Sequence, residues 1–293
     1  MKSEQSVVSA IQSATGEPFS IQRQQSISSG CINAAFEISD SRRRFFVKTN
    51  RPSSRPMFEA EREGLLALAS EGGPRVPVPV VVGADDHSAF FVMEYVAFAT
   101  PGPHTATLFG EQLAALHSKH QSQFGWHRDN TIGSTRQVND FTSDWVSFLR
   151  EQRFGYQFGL AARQGYGGEL QDLGERFLQQ LDGFFSDYQP WPSILHGDLW
   201  GGNHAADGQG YPVMFDPAVY YGDREADIAM TELFGRCDGG FYAAYDSVLP
   251  LDAGYRQRRT LYNLYHVLNH LNLFGGGYHA QALQMLRELV SEV

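Results

Sequence analysis

Asp198, Asn203 and Asp216 are the residue types that phosphoryl transfer uses, at the spacing it requires. The first two lie in Leu195-His196-Gly197-Asp198-Leu199-Trp200-Gly201-Gly202-Asn203, the third ends Val213-Met214-Phe215-Asp216. A carboxylate five residues before an amide, then a second carboxylate closing an apolar strand, is the pattern of a kinase catalytic loop. In that chemistry Asp198 accepts the proton of the substrate hydroxyl, while Asn203 and Asp216 hold magnesium against the nucleotide phosphates. The tripeptide His196-Gly197-Asp198 alone says little, because it also occurs in metal hydrolases. The amide and the strand-borne carboxylate give the pattern its content. Between them Asp207-Gly208-Gln209-Gly210 is a turn signal, and a tight hairpin there returns Asp216 to the side of Asn203.

Such a reaction asks the protein for positioning and charge compensation more than for covalent chemistry. Residues 28–33 (Ser-Ser-Gly-Cys-Ile-Asn) are small enough for backbone N–H groups to approach phosphates, with Ser29, Gly30, Cys31 and Asn33 as the candidate contacts. The segment is not G-x-G-x-x-G and reads equally well as an ordinary hairpin turn. Lys48 ends Phe45-Phe46-Val47, where a kinase places its strand lysine. The chain has only three lysines (Lys2, Lys48, Lys119) among its 23 cationic residues, so a lysine here points to a specific role. Its partner is sought among Glu59, Glu61 and Glu63 on the next helix, with Glu61 preferred. Met93-Glu94-Tyr95-Val96 is the expected hinge, whose backbone in a kinase meets the adenine edge, although an ordinary interdomain strand accounts for these residues equally well. Asp227 is expected to accept backbone N–H bonds that shape the catalytic loop, with His196 as a structural hydrogen-bonder. Asp223 and Arg224 either cap the helix they open or face the substrate. Trp200 either covers the apolar face of a sugar chain or packs in the core.

These parts need a strand-rich frame and a helical one. Residues 4–15 read as a short helix, residues 19–21 and 34–38 as a strand pair, and 44–48 as a further strand. A helix follows Arg55-Pro56 and ends at Gly72-Gly73-Pro74. Residues 76–82 are β-rich but begin as loop because of Pro77 and Pro79, and 90–95 read as a buried strand. Beyond Thr100-Pro101-Gly102-Pro103 the periodicity is helical, over 107–120, 140–162, 169–186, 256–274 and 279–292, with 195–216 as the one β-rich interruption. The expected fold is α+β and bilobal in the protein-kinase manner: a β-rich nucleotide-binding lobe over 1–98 and a larger, mainly helical lobe for catalysis and substrate over 99–293.

Composition restricts the alternatives. A chain of 293 residues with 42% hydrophobic and 19% charged residues can bury a substantial core. A net charge of −10 argues against a nucleic-acid surface, which needs a basic stripe. No apolar run approaches bilayer length, no export signal is evident, and two cysteines make no disulfide framework, so a cytoplasmic protein is expected.

The motif over 195–203 resembles the L-H-G-D-L-W-S-G-N signature of the fructosamine/ketosamine 3-kinases, a branch of the aminoglycoside-phosphotransferase-like kinases. Residues 29–33, 57–61, 124–133, 145–153, 215–218, 221–227 and 261–265 resemble the same branch, so the likeness runs nearly the full length. The resemblance implies Asp198 as base, Asn203 and Asp216 as metal ligands, and Lys48 with Glu61 orienting the triphosphate. It implies ATP and Mg2+, and transfer of the γ-phosphate to the C3 hydroxyl of a ketosamine, free or on a glycated protein lysine, as deglycation repair. Departures are Ser29 for glycine, Gly201 for serine and His204 for an aromatic; none removes a catalytic group. A kinase for an aminoglycoside or amino alcohol, a metal-dependent phosphohydrolase and a silent nucleotide-binding module are the other readings. Cys31 in the phosphate loop is either a buried apolar residue or an oxidant-sensitive thiol joining two chains, so a monomer or an oxidation-dependent dimer is expected.

Overall fold

The computed structural model describes residues 2–27 and 32–292. Its N-terminal part is an antiparallel sheet of five strands: β1 (Arg23–Ile27), β2 (Ala34–Ser39), β3 (Arg44–Asn50), β4 (Pro79–Ala84) and β5 (Ala89–Glu94), in the order β1-β2-β3-β5-β4. Alternation along β3 and β5 gives the sheet two apolar faces. Phe45, Val47, Phe90 and Val92 meet Val7 and Ile11 of α1 (Lys2–Thr15) on one side. On the other, Phe91 and Met93 meet Phe58, Leu65 and Leu68 of α2 (Arg55–Ser70). Lys48 pairs in register with Phe91, which puts its side chain on the face that α2 covers.

The first strand lies later than the apolar residues at 19–21 indicate. Phe19 is a core anchor packed edge-on against Phe45 at 5.2 Å, while β1 itself is a polar, mostly exposed edge strand with no apolar alternation to read.

After the short strand β6 (Phe98–Ala99) the chain turns helical: α3 (Pro103–His117), α4 (Trp145–Phe148) continuing through a π-helix (Leu149–Gly155) into α5 (Tyr156–Arg163), and α6 (Glu169–Gln180). The last four helices are α7 (Glu225–Leu233), α8 (Gly239–Val248), α9 (Tyr255–Phe274) and α10 (Tyr278–Glu292). Leu261, Leu264, Leu268 and Leu271 make α9 the buried centre of this half. Short strands punctuate it: β7 (Asn130–Ile132) with β8 (Thr135–Gln137), β9 (Ser193–Leu195) with β12 (Tyr220–Gly222), and β10 (His204–Asp207) with β11 (Pro212–Met214). The segment 195–216 is therefore not the sole β-structure here; three-residue strands are too short to show a period. Together the halves make a bilobal, protein-kinase-like α+β fold.

Arg75, in the loop between α2 and β4, ties the halves together. Its guanidinium pairs with Glu94 at the end of β5 and, at 2.7 Å, with Asp207 of β10. Its carbonyl accepts from Met214 N at 2.8 Å.

Candidate active site

Lys48 Nζ lies 2.6 Å from Glu61 Oε1 and 2.6 Å from Asp216 Oδ1. Burial works against a charged ammonium, but the two carboxylates outweigh it and hold Lys48 above the ordinary lysine range. Glu59 instead pairs with Arg55 on its own helix. Glu63 reaches across to the other half, 3.1 Å from His127 Nε2 and 2.9 Å from Arg128, so α2 is fixed at two points.

The hairpin β10–β11 closes through Asp207, whose Oδ1 accepts from the N–H groups of Gln209 and Tyr211. It delivers Phe215 N to the carbonyl of Asn203 at 3.0 Å, which sets Asp216 beside Asn203. Asp216 has φ 58°, a left-handed backbone that Asp tolerates better than most residues. Its side chain is 42% exposed toward the cleft. Asn203 donates its amide to the Asp198 carbonyl at 2.9 Å and to Asp198 Oδ2 at 3.2 Å, which leaves Asn203 Oδ1 as an acceptor. Burial, and next the Asp216 charge, push the Asp198 carboxyl up to about 7. A base of that strength suits proton transfer near neutral pH.

The catalytic loop is held from beneath by Asp227, which accepts from His196 N at 2.7 Å and Gly197 N at 2.9 Å. Burial alone would raise Asp227, but the neighbouring His117 and the loop N–H groups keep it below the ordinary carboxylate range. Gly197 has φ 81°, and a Cβ there would stand 2.1 Å from the Ala218 carbonyl, so the position admits no side chain. His196 Nε2 donates to the Phe215 carbonyl at 2.9 Å, and its Nδ1 accepts from Asp198 N at 3.3 Å. One neutral tautomer meets both bonds.

A polar scaffold behind Asp216 has no counterpart in the sequence reading. Asn130 Nδ2 donates to the Val219 carbonyl at 2.8 Å, and Gln137 Nε2 to the Ala218 carbonyl at 3.0 Å. Gln137 and Asn139 both donate to Asn130 Oδ1, and Arg153 donates to Asn139 Oδ1 at 2.8 Å. All four side chains are buried. Their signal was present in the polar run around 128–139, but only folding shows which carbonyls they serve.

Lys48, Glu61, Asp198, Asn203 and Asp216 share one cleft of about 550 Å3, with Asn33 on its border and Trp200, Phe234 and His270 along another side. Trp200 is 38% exposed, so it is not a core residue. A Cβ on Gly202 would meet its ring at 2.3 Å, which means the indole lies against bare backbone.

Other expected contacts fall elsewhere. Asp223 and Arg224 do not face the cleft. Asp223 is fully buried, accepting from the Tyr188 and Tyr262 hydroxyls and Glu225 N. Arg224 donates to Tyr245 and to the carbonyls of Leu249 and Pro250. Both charges are consumed by internal partners. At the hinge, Met93 packs in the core, Glu94 pairs with Arg75, Tyr95 lies 4.0 Å from the Arg44 guanidinium, and Val96 follows the end of β5. Any nucleotide contact there is left to backbone. Ser29, Gly30 and Cys31 lie outside the described residues.

A family model described as fructosamine kinase matches residues 3–292. The chain is 45% identical to a probable ketoamine kinase of Synechocystis sp., with 97% of this chain and 96% of that one covered. It is 41% identical to the chloroplastic protein-ribulosamine 3-kinase of Arabidopsis thaliana, with 92% and 83% covered. The crystal structure of a candidate fructosamine-3-kinase from Haemophilus somnus superposes with a TM-score of 0.90 at 29% identity, covering 97% and 96%. An aminoglycoside phosphotransferase solved with AMP-PNP and hygromycin B shares the fold, at a TM-score of 0.69, 16% identity and 98% coverage of both chains.

Proposed function

The chain belongs to the fructosamine kinase family, and from that premise we propose that it transfers the γ-phosphate of ATP to the C3 hydroxyl of ketosamines. The observation that carries the proposal is the meeting of Lys48, Glu61, Asp198, Asn203 and Asp216 in one cleft bordered by Trp200. In this reading residues 1–98 bind the nucleotide, residues 99–293 supply catalysis and acceptor binding, and the fructosyl- or ribulosylamine lies against Trp200.

Asp198 Oδ1 or Oδ2 takes the C3 proton as the oxygen attacks phosphorus, and Asn203 keeps that carboxylate oriented through its amide. Lys48, fixed by Glu61, compensates charge on the phosphates. The free Oδ1 of Asn203 and the carboxylate of Asp216 are hard oxygen donors that suit Mg2+. Bound there, magnesium would neutralise developing charge on the nucleotide. Phosphate at C3 is placed for elimination, which frees the amine, so the reaction serves deglycation repair. Among the described residues no helix is long and apolar enough to cross a membrane, in keeping with work in the cytoplasm.

The test is ADP release by the purified protein over a panel of ketosamines and aminoglycosides, with phosphorus NMR to locate the new ester. Turnover of a linear ketosamine with phosphate on C3 is expected. Phosphate on another hydroxyl, or preference for an aminoglycoside, would overturn the assignment.

A further inference from the structure

Arg153 is 1% exposed, yet it has no carboxylate partner among the described residues. Its guanidinium lies over the rings of Phe148 at 4.4 Å and Tyr220 at 4.2 Å. It donates to the carbonyls of Val138 and Gln152 and to Asn139 Oδ1, and its Nε is left without an acceptor. A lone charge in a core is costly, and rings and neutral oxygens offset that cost only in part. An apolar side chain would fill the same space more stably, so packing alone does not account for Arg153.

The backbone departs from a regular helix where it presents this side chain. Arg153 sits in the π-helix Leu149–Gly155, between α4 and α5. The extra residue of such a turn changes which side chains face inward, and π-turns are found mostly at functional places. Gly155 admits the wide turn, because a Cβ there would stand 2.6 Å from the Arg150 carbonyl.

From Arg153 the hydrogen bonds run in one direction. Its Nη2 donates to Asn139 Oδ1 at 2.8 Å, and Asn139 Nδ2 donates to Asn130 Oδ1 at 2.9 Å. Asn130 Nδ2 then donates to the Val219 carbonyl at 2.8 Å. Gln137 joins at Asn130 Oδ1 and ends on the Ala218 carbonyl. A cation at the head of such a chain polarises each amide and strengthens the bonds that follow, an effect that a carboxylate beside it would cancel. The chain ends on the segment just after Asp216, whose Ala218 N is bonded to the His196 carbonyl at 2.8 Å. That segment therefore joins the left-handed backbone of Asp216 to the catalytic loop.

We propose that Arg153 is a positioning residue for Asp216: its charge, relayed through Asn139 and Asn130, fixes the backbone that aims the Asp216 carboxylate. The proposal rests on the reading of Asp216 as a magnesium ligand. Arg153 is not among the residues that line the cleft, so it acts through this chain and not by touching nucleotide or acceptor.

The experiment measures ATP binding by calorimetry, with no acceptor present, across a magnesium titration and again in EDTA, beside urea unfolding. Arg153→Met should raise the magnesium concentration for half-maximal ATP affinity by about tenfold, and leave binding in EDTA within about twofold. Arg153→Lys keeps the charge and should recover part of that loss. Asn139→Asp cuts the chain in its middle while giving Arg153 an anionic partner, so it separates relay from stability. It should show the magnesium shift of Arg153→Met with a higher urea midpoint than that variant. A magnesium midpoint within about twofold of wild type in either Arg153→Met or Asn139→Asp would overturn the proposal. So would an equal loss of ATP affinity with and without magnesium, or an Arg153→Lys no better than Arg153→Met. If Arg153→Met does not fold, Asn139→Asp decides. Wild-type ATP binding that ignores magnesium would overturn the metal reading itself, whereas a magnesium-dependent wild type with unshifted variants overturns only the role of Arg153.

Discussion

Lys48 supplies the positive charge that pairs with both Glu61 and Asp216, so its loss should damage more than activity. Lys48→Met leaves two carboxylates facing each other at the base of the cleft. Breaking a buried pair in this way costs about 3–5 kcal/mol, and the low end applies because Asp216 is partly exposed. Chemical unfolding should show that loss together with weakened ATP binding; unchanged values of both would remove Lys48 from the site. Asp198→Asn should behave differently. It removes the proton acceptor and spares the phosphate-holding groups, so kcat should drop about 10²–10⁴-fold with ATP affinity kept. A near-normal kcat would show that another group is the base. Residues of this kind were legible in the sequence because the chemistry fixes both type and spacing. Asp223 and Arg224, open in the sequence to either a capping or a substrate-facing place, lie away from the cleft for a complementary reason: nothing local announces that Tyr188, Tyr245 and Tyr262 will converge on them.

At the scale of elements, the β7–β8 hairpin and the chain following it do what neither its length nor its composition advertises. Three-residue strands carry no readable alternation, yet they bring Asn130 and Gln137 to the carbonyls that follow Asp216. Asn130→Ala should leave the Val219 carbonyl without this partner and cost about 1–3 kcal/mol in unfolding free energy. It should also weaken ATP affinity in a magnesium titration, because the turn carrying Asp216 loses its backing. Unchanged stability and unchanged titration together would reduce the scaffold to filler. The long helices and β3 were legible because burial of one face imposes a period over several turns or residues. The polar edge strand β1 was not, since it buries almost nothing.

For the whole molecule, the change from β-rich to helical patterning near residue 100 made the two-part layout readable in advance. A cavity of about 500 Å3 beside Phe109, Trp200 and Phe241 was not readable, because α3, the catalytic loop and the start of α8 meet there from separate stretches of chain. Buried histidines contribute an acid-sensitive part of this fold's stability. Burial takes His204 down to about 4 and His266 to about 3, below the roughly 6.5 of an unfolded chain. As pH falls below about 6.5 the unfolded chain's histidines bind protons that these two refuse when folded, so the stability they contribute is full above that value and is lost toward pH 3–4, while the raised Asp198 carboxyl works in the opposite direction. His204→Phe should therefore lose less stability than wild type between pH 7 and pH 5, read as urea midpoints at the two values. The same change in midpoint for variant and wild type would exclude His204 as a contributor. Arg75 adds a mechanical consequence. Its guanidinium is 41% exposed and spans from Asp207 to Glu94, so it acts as a strut against bending at the hinge, and one that dissolved ions can soften. If ADP leaves by that bending, added salt should loosen the strut and hasten release without touching the chemical step, and Arg75→Met should release ADP at the fast rate whatever the ionic strength.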